Sequence, residues 1–187
     1  MGPTGSGKSS FLSAVTGEDM GRRHGPSSHS GGIHAIRVRV PEHGVNFVFV
    51  VAPGFDDKRK LVNGIFKPTS DWLKEMQSRN LNLSHILYLR CISDNGLAGA
   101  PWVDIVLFDK IRMHHSCKNV VLVTTMWNEL DGRGIGTARE RKLKDTFWKP
   151  LLDRRCTLQR HDGTTDSAWD IIHHVLVKSK RQQRPLS

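Results

Sequence analysis

The segment at residues 2–9 constrains the fold of this chain most, because it reads Gly-Pro-Thr-Gly-Ser-Gly-Lys-Ser and matches GxxxxGK[ST] at every position. Its glycines allow backbone N–H groups to approach phosphate oxygens without a Cβ in the way. Lys8 supplies a charge to the phosphates and Ser9 a hydroxyl to Mg²⁺, at the positive end of a helix. A Gly/Ser-rich disordered start is the alternative, but chance produces this match on the order of once in ten thousand positions. The segment therefore predicts a phosphate loop, with nucleotide-binding residues Gly5, Ser6, Gly7, Lys8, Ser9 and Ser10.

The rest of the chain alternates between apolar and amphipathic segments. Ile33–Val40 alternates apolar with polar residues and predicts a half-buried strand, whereas the apolar run Val45–Val51 is typical of a strand covered on both faces. Further strands are predicted at His85–Cys91, Val120–Thr124 and Cys156–Arg160. Helices are predicted at Ser9–Thr16, Asp71–Asn80 with Ser70 as N-cap, behind Pro101, Thr137–Trp148 and Ser167–Lys178. This order predicts an α/β domain with a mostly parallel sheet that binds ligands at the carboxyl ends of its strands.

Composition and charge limit the class of protein. The 187 residues, 37% of them hydrophobic and 25% charged, suit one globular domain. No apolar stretch approaches the roughly 18 residues of a membrane helix and no signal peptide is seen, so we expect a cytoplasmic protein. The three cysteines lack the spacing of a zinc site or a disulfide framework. The net charge of +10 favours an anionic partner, and because no aromatic-rich basic motif accompanies it, nucleotide phosphates suit it better than nucleic acid.

Four segments carry a family resemblance: MGPTGSGKSSF, PGFDD, VVLVT followed by MWNELD, and RHD followed by a helix. In this order they resemble the predicted G-domain proteins abundant in mushroom-type fungi, which look like relatives of septins and of the immunity-associated GTPases. The resemblance covers nearly the whole chain. It implies a Ras-like P-loop three-layer fold with strand order 2-3-1-4-5-6 that binds GTP with Mg²⁺. It places a G domain at residues 1–178 and a basic tail at 179–187.

The metal side of the site departs from that family. The family reads DTPG before FDD, and its Asp holds Mg²⁺ through water, whereas this chain reads Val51-Ala52-Pro53-Gly54 and has Val51 in the place of the Asp. Asp56 or Asp57 is a candidate replacement, with a solvated loop acid as the alternative. Gly54 still offers its N–H to a γ-phosphate. Ser30 falls where the switch loop of such proteins contributes a hydroxyl to Mg²⁺, with a plain loop serine as the alternative.

The base side departs as well. Guanine is normally read by [NT]KxD, whose Asp accepts both N–H groups of the base edge. This chain has Thr124-Thr125-Met126-Trp127, so Thr125 belongs to the site and Trp127 replaces the Asp, where it can stack on a base but cannot accept hydrogen bonds. Glu129 and Asp131 are candidate substitutes, with solvated acids as the alternative. His161 lies in the loop that covers the base and either stacks there or is a surface histidine.

Two features shape the expected function. Phe55 stands where Ras-like enzymes keep a water-orienting glutamine, so GTP hydrolysis is expected to be slow. Met1 precedes Gly2 directly, so the strand that should lead into the phosphate loop is missing and we expect an N-terminally truncated domain. The leading hypothesis is a GTP-binding protein with weak or absent hydrolysis that acts as a switch or as an assembly module with itself or other proteins. A pseudo-GTPase interaction module and an ATP or GTP hydrolase are the alternatives.

Overall fold

The computed structural model describes residues 1–20, 33–40, 44–54, 67–81, 83–93, 109, 119–130 and 134–182. Several predicted features lie outside these ranges. They are Ser30, Phe55, Asp56, Asp57, Asp131, the helix behind Pro101 except Asp109, and the last five residues of the basic tail.

Strands and helices alternate as the sequence predicts. The strands are β1 (His34–Val40), β2 (Val45–Val51), β3 (Ile86–Cys91), β4 (Val120–Thr125) and β5 (Thr157–Arg160). The α-helices are α1 (Lys8–Thr16), α2 (Lys67–Ser78), α3 (Ile135–Lys142), α4 (Lys149–Leu152) and α5 (Thr165–Gln182). A 3₁₀ turn at Trp127–Glu129 follows β4, and a π-helical turn at Leu143–Phe147 joins α3 to α4. All five predicted strands are confirmed, and α5 continues past residue 178.

The prediction for helix α2 is wrong in its bounds. Helix α2 begins at Lys67, so Ser70 is buried inside it and is not its N-cap. The earlier start is possible because Pro68 lies in the first turn, where a missing N–H costs little, and Lys67 pairs with Asp71 at 2.9 Å.

The predicted helix at Thr137–Trp148 is not one regular helix. It becomes π-helical after Lys142, and the Trp148 N–H donates to the Leu143 carbonyl at 2.7 Å. The wider turn brings the side chains of Leu143, Phe147 and Trp148 into the core, which is the packing that a regular amphipathic pattern does not predict.

The strands form two hydrogen-bonded groups. Strands β1 and β2 form an antiparallel hairpin, whereas β3, β4 and β5 form a parallel sheet in the order β3-β4-β5. No strand within the described ranges pairs with both β2 and β3. Met1 lies on the edge of β3 that β4 leaves open: its amino group donates to the Leu87 carbonyl at 2.7 Å, and its carbonyl accepts from Leu89 N at 2.8 Å. These two bonds have the pattern of a parallel bridge.

The core has two clusters on opposite faces of the parallel sheet. One cluster joins Tyr88 and Leu122 to the π-helical turn and α4. The other joins Val121 and Val123 to α1 and α5, and Val38 of the hairpin packs into it. Helices therefore cover both faces of β4, as a three-layer α/β fold requires. No described helix is both long enough and apolar enough to cross a membrane.

Candidate functional site

The phosphate loop ends at Gly7, the N-cap of α1. Gly7 has φ 81°, a left-handed conformation that favours glycine, and its carbonyl accepts the first helical hydrogen bond from Phe11 N at 2.8 Å. Ser9 and Ser10 are exposed on the first turn, whereas Ser6 is buried beneath the loop. The predicted loop residues thus surround the positive end of α1, where an anion is stabilised.

Lys8 lies across its own loop. Its Nζ donates to the Gly2 carbonyl at 2.9 Å and to the Pro3 carbonyl at 2.8 Å. These acceptors are neutral, and a charged phosphate oxygen makes a stronger hydrogen bond with an ammonium group. Lys8 is therefore already positioned at the loop. A phosphate oxygen would be a stronger acceptor for its ammonium group than either of these carbonyls.

The segment after β2 contacts the phosphate loop at Gly54. A Cβ on Gly54 would overlap Thr4 Oγ1 and come within 2.8 Å of Thr4 N, so only glycine allows this approach. The structure thus places Gly54 beside the loop, whereas donation of its N–H to a γ-phosphate remains a prediction. Val51, at the place of the related motif's Asp, ends β2 and offers no carboxylate. Within the described ranges, no group of three or more His, Cys, Asp or Glu residues is arranged to hold a metal ion.

The carboxyl end of β4 borders the same loop. Thr125 Oγ1 donates to the Ser6 carbonyl at 3.0 Å, and the Arg90 carbonyl oxygen lies at 3.3 Å from the same hydroxyl. A Cβ built on Gly7 would lie 3.3 Å from Thr125 Cβ and 3.4 Å from the Met126 methyl group. Thr125 therefore fixes the loop against the sheet, and Met126 packs beside it.

Trp127 is directed toward α3 and β5. Its Nε1 donates to Thr124 Oγ1 at 3.0 Å, and the Arg160 guanidinium lies 4.2 Å from its ring centroid. A Cβ on Gly136 would come within 2.8 Å of the indole. The buried Glu140 carboxylate accepts from Arg160 at 2.6 and 3.0 Å, and these bonds raise the pKa of Arg160. Among its described contacts, the indole packs against this ion pair and helix α3; contact with a base remains a prediction.

The sequence interpretation did not consider Asn128. The Thr124-Thr125 doublet allows two alignments with the four-residue base-reading motif, and the alignment that starts at Thr125 places Asn128 fourth. Thr125, the first residue of this second alignment, contacts the phosphate loop at the Ser6 carbonyl. The Asn128 side chain is exposed, and a Cβ built on Gly163 would lie 3.9 Å from its Nδ2 and 4.0 Å from its Oδ1.

His161 is not a surface histidine, so that alternative is wrong. Its side chain is 1% exposed, its Nδ1 lies 2.9 Å from Ser167 Oγ, and its ring packs edge-on against Phe11 at 5.3 Å. Burial lowers the pKa of His161, and the nearby charge of Asp162 opposes that shift in part. The neutral ring supports the loop after β5 from below, while contact with a nucleotide remains a prediction.

Comparison with solved structures finds the same fold in Toc33 from Arabidopsis thaliana. Its complex with GDP and Mg²⁺ matches with a TM-score of 0.61 and 15% identity, over 88% of this chain and 69% of that chain. A dimerization-deficient Toc33 mutant matches with a TM-score of 0.60 and 14% identity over the same shares. No family model matches the sequence, and no curated protein does either. The likeness confirms an α/β P-loop fold; the relation to the fungal, septin and immunity-associated proteins remains a prediction.

Proposed function

We propose that this chain is a GTP-binding P-loop protein with weak or absent GTP hydrolysis that works in the cytoplasm as a switch or an assembly module. The observation that carries this proposal is the phosphate loop itself. Lys8 lies over the loop at the positive end of α1, and Gly54 and Thr125 contact the loop from the ends of β2 and β4. The bound GDP and Mg²⁺ of the similarly folded Toc33 support a guanine nucleotide as ligand.

In the proposed complex the phosphates lie on the backbone N–H groups of Gly5–Ser10. Lys8 exchanges its two backbone carbonyls for phosphate oxygens, and the exposed Ser9 hydroxyl is available to Mg²⁺. Ser30 is proposed as a second metal ligand, and Gly54 as an N–H donor to the terminal phosphate. Mg²⁺ prefers oxygen ligands and keeps several waters, so a site built from a hydroxyl and phosphate oxygens suits it only while the nucleotide is bound.

Weak hydrolysis is proposed from two positions. Val51 occupies the place where the related motif has its metal-side Asp. Phe55, an apolar residue, stands where an amide would orient the attacking water. Without either group, binding and release of the nucleotide become the events that change the protein. Self-association is part of the proposal. Toc33 shares this fold, and one of its structures is of a mutant described as dimerization-deficient, which points to dimerization of Toc33 itself. A pseudo-GTPase interaction module and a nucleotide hydrolase remain the alternatives.

Substitution of Lys8 by alanine tests the binding site. We expect Lys8→Ala to weaken GTP–Mg²⁺ binding by about a hundredfold, because two charge-assisted hydrogen bonds are each worth about 1.5–3 kcal/mol. Isothermal titration calorimetry measures the affinity, and circular dichroism checks the fold. Lys142→Ala, at an exposed lysine that ends α3, is the matched control and should bind as the wild type does. Equal affinity of Lys8→Ala and wild type would remove the phosphate-loop assignment.

Single-turnover phosphate release separates the alternatives. With GTP in the site, we expect release at or below the intrinsic rate of about 10⁻⁴ per second seen for Ras-type domains without an activating partner. Turnover near one per second would favour the hydrolase, whereas no binding of GTP, GDP or ATP would favour the interaction module. Tight binding of duplex DNA in place of nucleotide would instead favour a nucleic-acid partner.

A further inference from the structure

Two loops face each other beside the phosphate loop, at the carboxyl ends of β4 and β5. The first begins at Met126, which packs near Gly7, and continues through Asn128. The second contains Gly163, and His161 N holds it to β4 by a hydrogen bond to the Thr124 carbonyl at 2.8 Å. Ligands of parallel α/β sheets bind at this end of the strands. The exposed Asn128 amide faces Gly163 across this opening and has no hydrogen-bond partner among the described residues.

The neighbouring carboxylates already have partners. Glu129 Oε2 accepts from Ser93 Oγ at 2.6 Å, which holds it toward the end of β3. Both oxygens of Glu140 accept from Arg160. Asp162 Oδ1 accepts from the hydroxyl and the N–H of Thr164 at 2.6 and 2.9 Å. Of these groups, the Asn128 amide is the one with its hydrogen-bonding capacity open to a ligand.

An amide presents one acceptor beside one donor, whereas a carboxylate presents two acceptors. The N1–H and 2-amino groups of guanine are adjacent donors, so a carboxylate satisfies both and an amide satisfies one. Adenine presents an acceptor beside its amino group, a combination that an asparagine amide pairs with in bidentate fashion. An asparagine whose amide oxygen accepts from N1–H thus gains nothing from the 2-amino group, and it does not reject adenine.

We propose that Asn128 contacts the base of the bound nucleotide, so that the site takes purine triphosphates without selecting the 2-amino group of guanine. The proposal rests on the proposed nucleotide function and specifies its ligand class. Asn128 is a specificity-determining residue here. The indole of Trp127, packed against Arg160, supports the turn that holds it.

The test measures the dissociation constants of GTP, inosine triphosphate and ATP, each with Mg²⁺, for wild type and Asn128→Asp. Inosine triphosphate lacks only the 2-amino group of guanine. We expect wild type to bind the three nucleotides within about tenfold of one another, and Asn128→Asp to favour GTP over inosine triphosphate and over ATP by a further tenfold or more, the usual discrimination of one bidentate pair. Asn46→Asp, at an exposed asparagine of β2, is the matched control and should leave every ratio unchanged.

Each possible result supports or overturns the proposed role of Asn128. A wild type that already prefers GTP to inosine triphosphate by more than tenfold overturns the proposal, as does an Asn128→Asp ratio within twofold of wild type. Asn128→Ala guards against misfolding of the charged variant: it should bind all three nucleotides more weakly, GTP and inosine triphosphate by the same factor, and unchanged affinities would also overturn the role of Asn128. Absence of triphosphate binding by wild type would instead refute the underlying nucleotide function.

Discussion

Strands β2 and β4 have similar apolar sequences and different surroundings. Every residue of β4 (VVLVTT) is buried, because β3 and β5 pair with it on both sides and helices cover both of its faces. In β2 (VNFVFVV) the Val48 side chain is 55% exposed and Asn46 is exposed. The prediction that β2 is covered on both faces is therefore wrong. A strand is buried by its neighbours, and β2 has one strand partner, β1, among the described residues.

The two regions also differ in how they join the rest of the molecule. The parallel sheet is tied to the phosphate loop by Thr125 and to Met1 by two backbone hydrogen bonds. The hairpin contributes Val38 to the core and the Gly54 contact to the loop. We therefore expect the stability of the domain to depend mainly on the parallel sheet. The hairpin should be held in place by the segment that joins it to β3.

The largest effect should come from joining the two regions. We propose that a strand ahead of the phosphate loop belongs between β2 and β3, and expect that six apolar β-branched residues added before Met1 supply it. About five newly buried side chains contribute roughly 1.5–3 kcal/mol each, before the entropy of ordering is subtracted. Extension also replaces the Met1 amino group by a neutral amide. Burial and the charge of Lys8 lower the pKa of that amino group to about 5.

Thermal unfolding measures this effect. We expect the extension to raise Tm by about 10 °C or more, since each kcal/mol shifts Tm by roughly 2–4 °C in a domain of this size. Tighter GTP binding should accompany the rise. A Gly/Ser extension of equal length is the control, because it cannot bury side chains. An equal Tm for the two extended forms would show that no strand enters between β2 and β3.

A smaller effect compares the two strands directly. Leu122 of β4 is 0% exposed, and Leu122→Ala should lower the free energy of unfolding by about 2–5 kcal/mol through lost transfer energy and a cavity. Val48→Ala in β2 should change it by at most about 0.5 kcal/mol, since the side chain is already mostly in water. Urea unfolding of both variants gives the values. Equal losses would mean that Val48 is covered in solution, which would remove the contrast between the strands.

The sequence predicts well those parts of the fold that are determined by a local residue pattern. Apolar runs and turn residues locate all five strands, and the phosphate-loop motif locates the start of α1 within one residue. Position in the motif is less well determined. Thr124 and Thr125 are the same residue type, so the sequence alone does not tell which of them contacts the loop. The choice moves the proposed base-reading position from Trp127 to Asn128.

Burial of polar residues is harder still to predict, because it depends on distant segments. His161 is polar and follows a strand, both typical of a surface loop, yet Phe11 of α1 and Ser167 of α5 enclose it. Glu140 is one of several charged residues in α3, yet it is buried by its pairing with Arg160, twenty positions away. Neither contact leaves a periodic signal in the sequence.

The smallest expected effect is a pH dependence within the parallel half, at the start of α5. Hydrogen bonds from Thr164 and Ser167 lower the pKa of the Asp162 carboxyl to about 2. Because this pKa is lower in the folded chain than the usual value of about 3.9, the stabilisation is present above pH 4 and is lost as the pH falls toward 2. The carboxylate is exposed, so solvent screening limits the contribution to less than about 1 kcal/mol. We expect Asp162→Asn to lower the free energy of unfolding by about 0.5 kcal/mol at pH 6, because the charge is lost from its hydrogen bonds with Thr164, and to match wild type near pH 2. Urea unfolding at pH 6, 4 and 2.5 measures the difference, with Asp145→Asn at an exposed site on the π-helical turn as the control. A difference that stays constant from pH 6 to 2.5 would show that the carboxylate charge does not stabilise this turn, and that the parallel half is held by its apolar core and neutral hydrogen bonds alone.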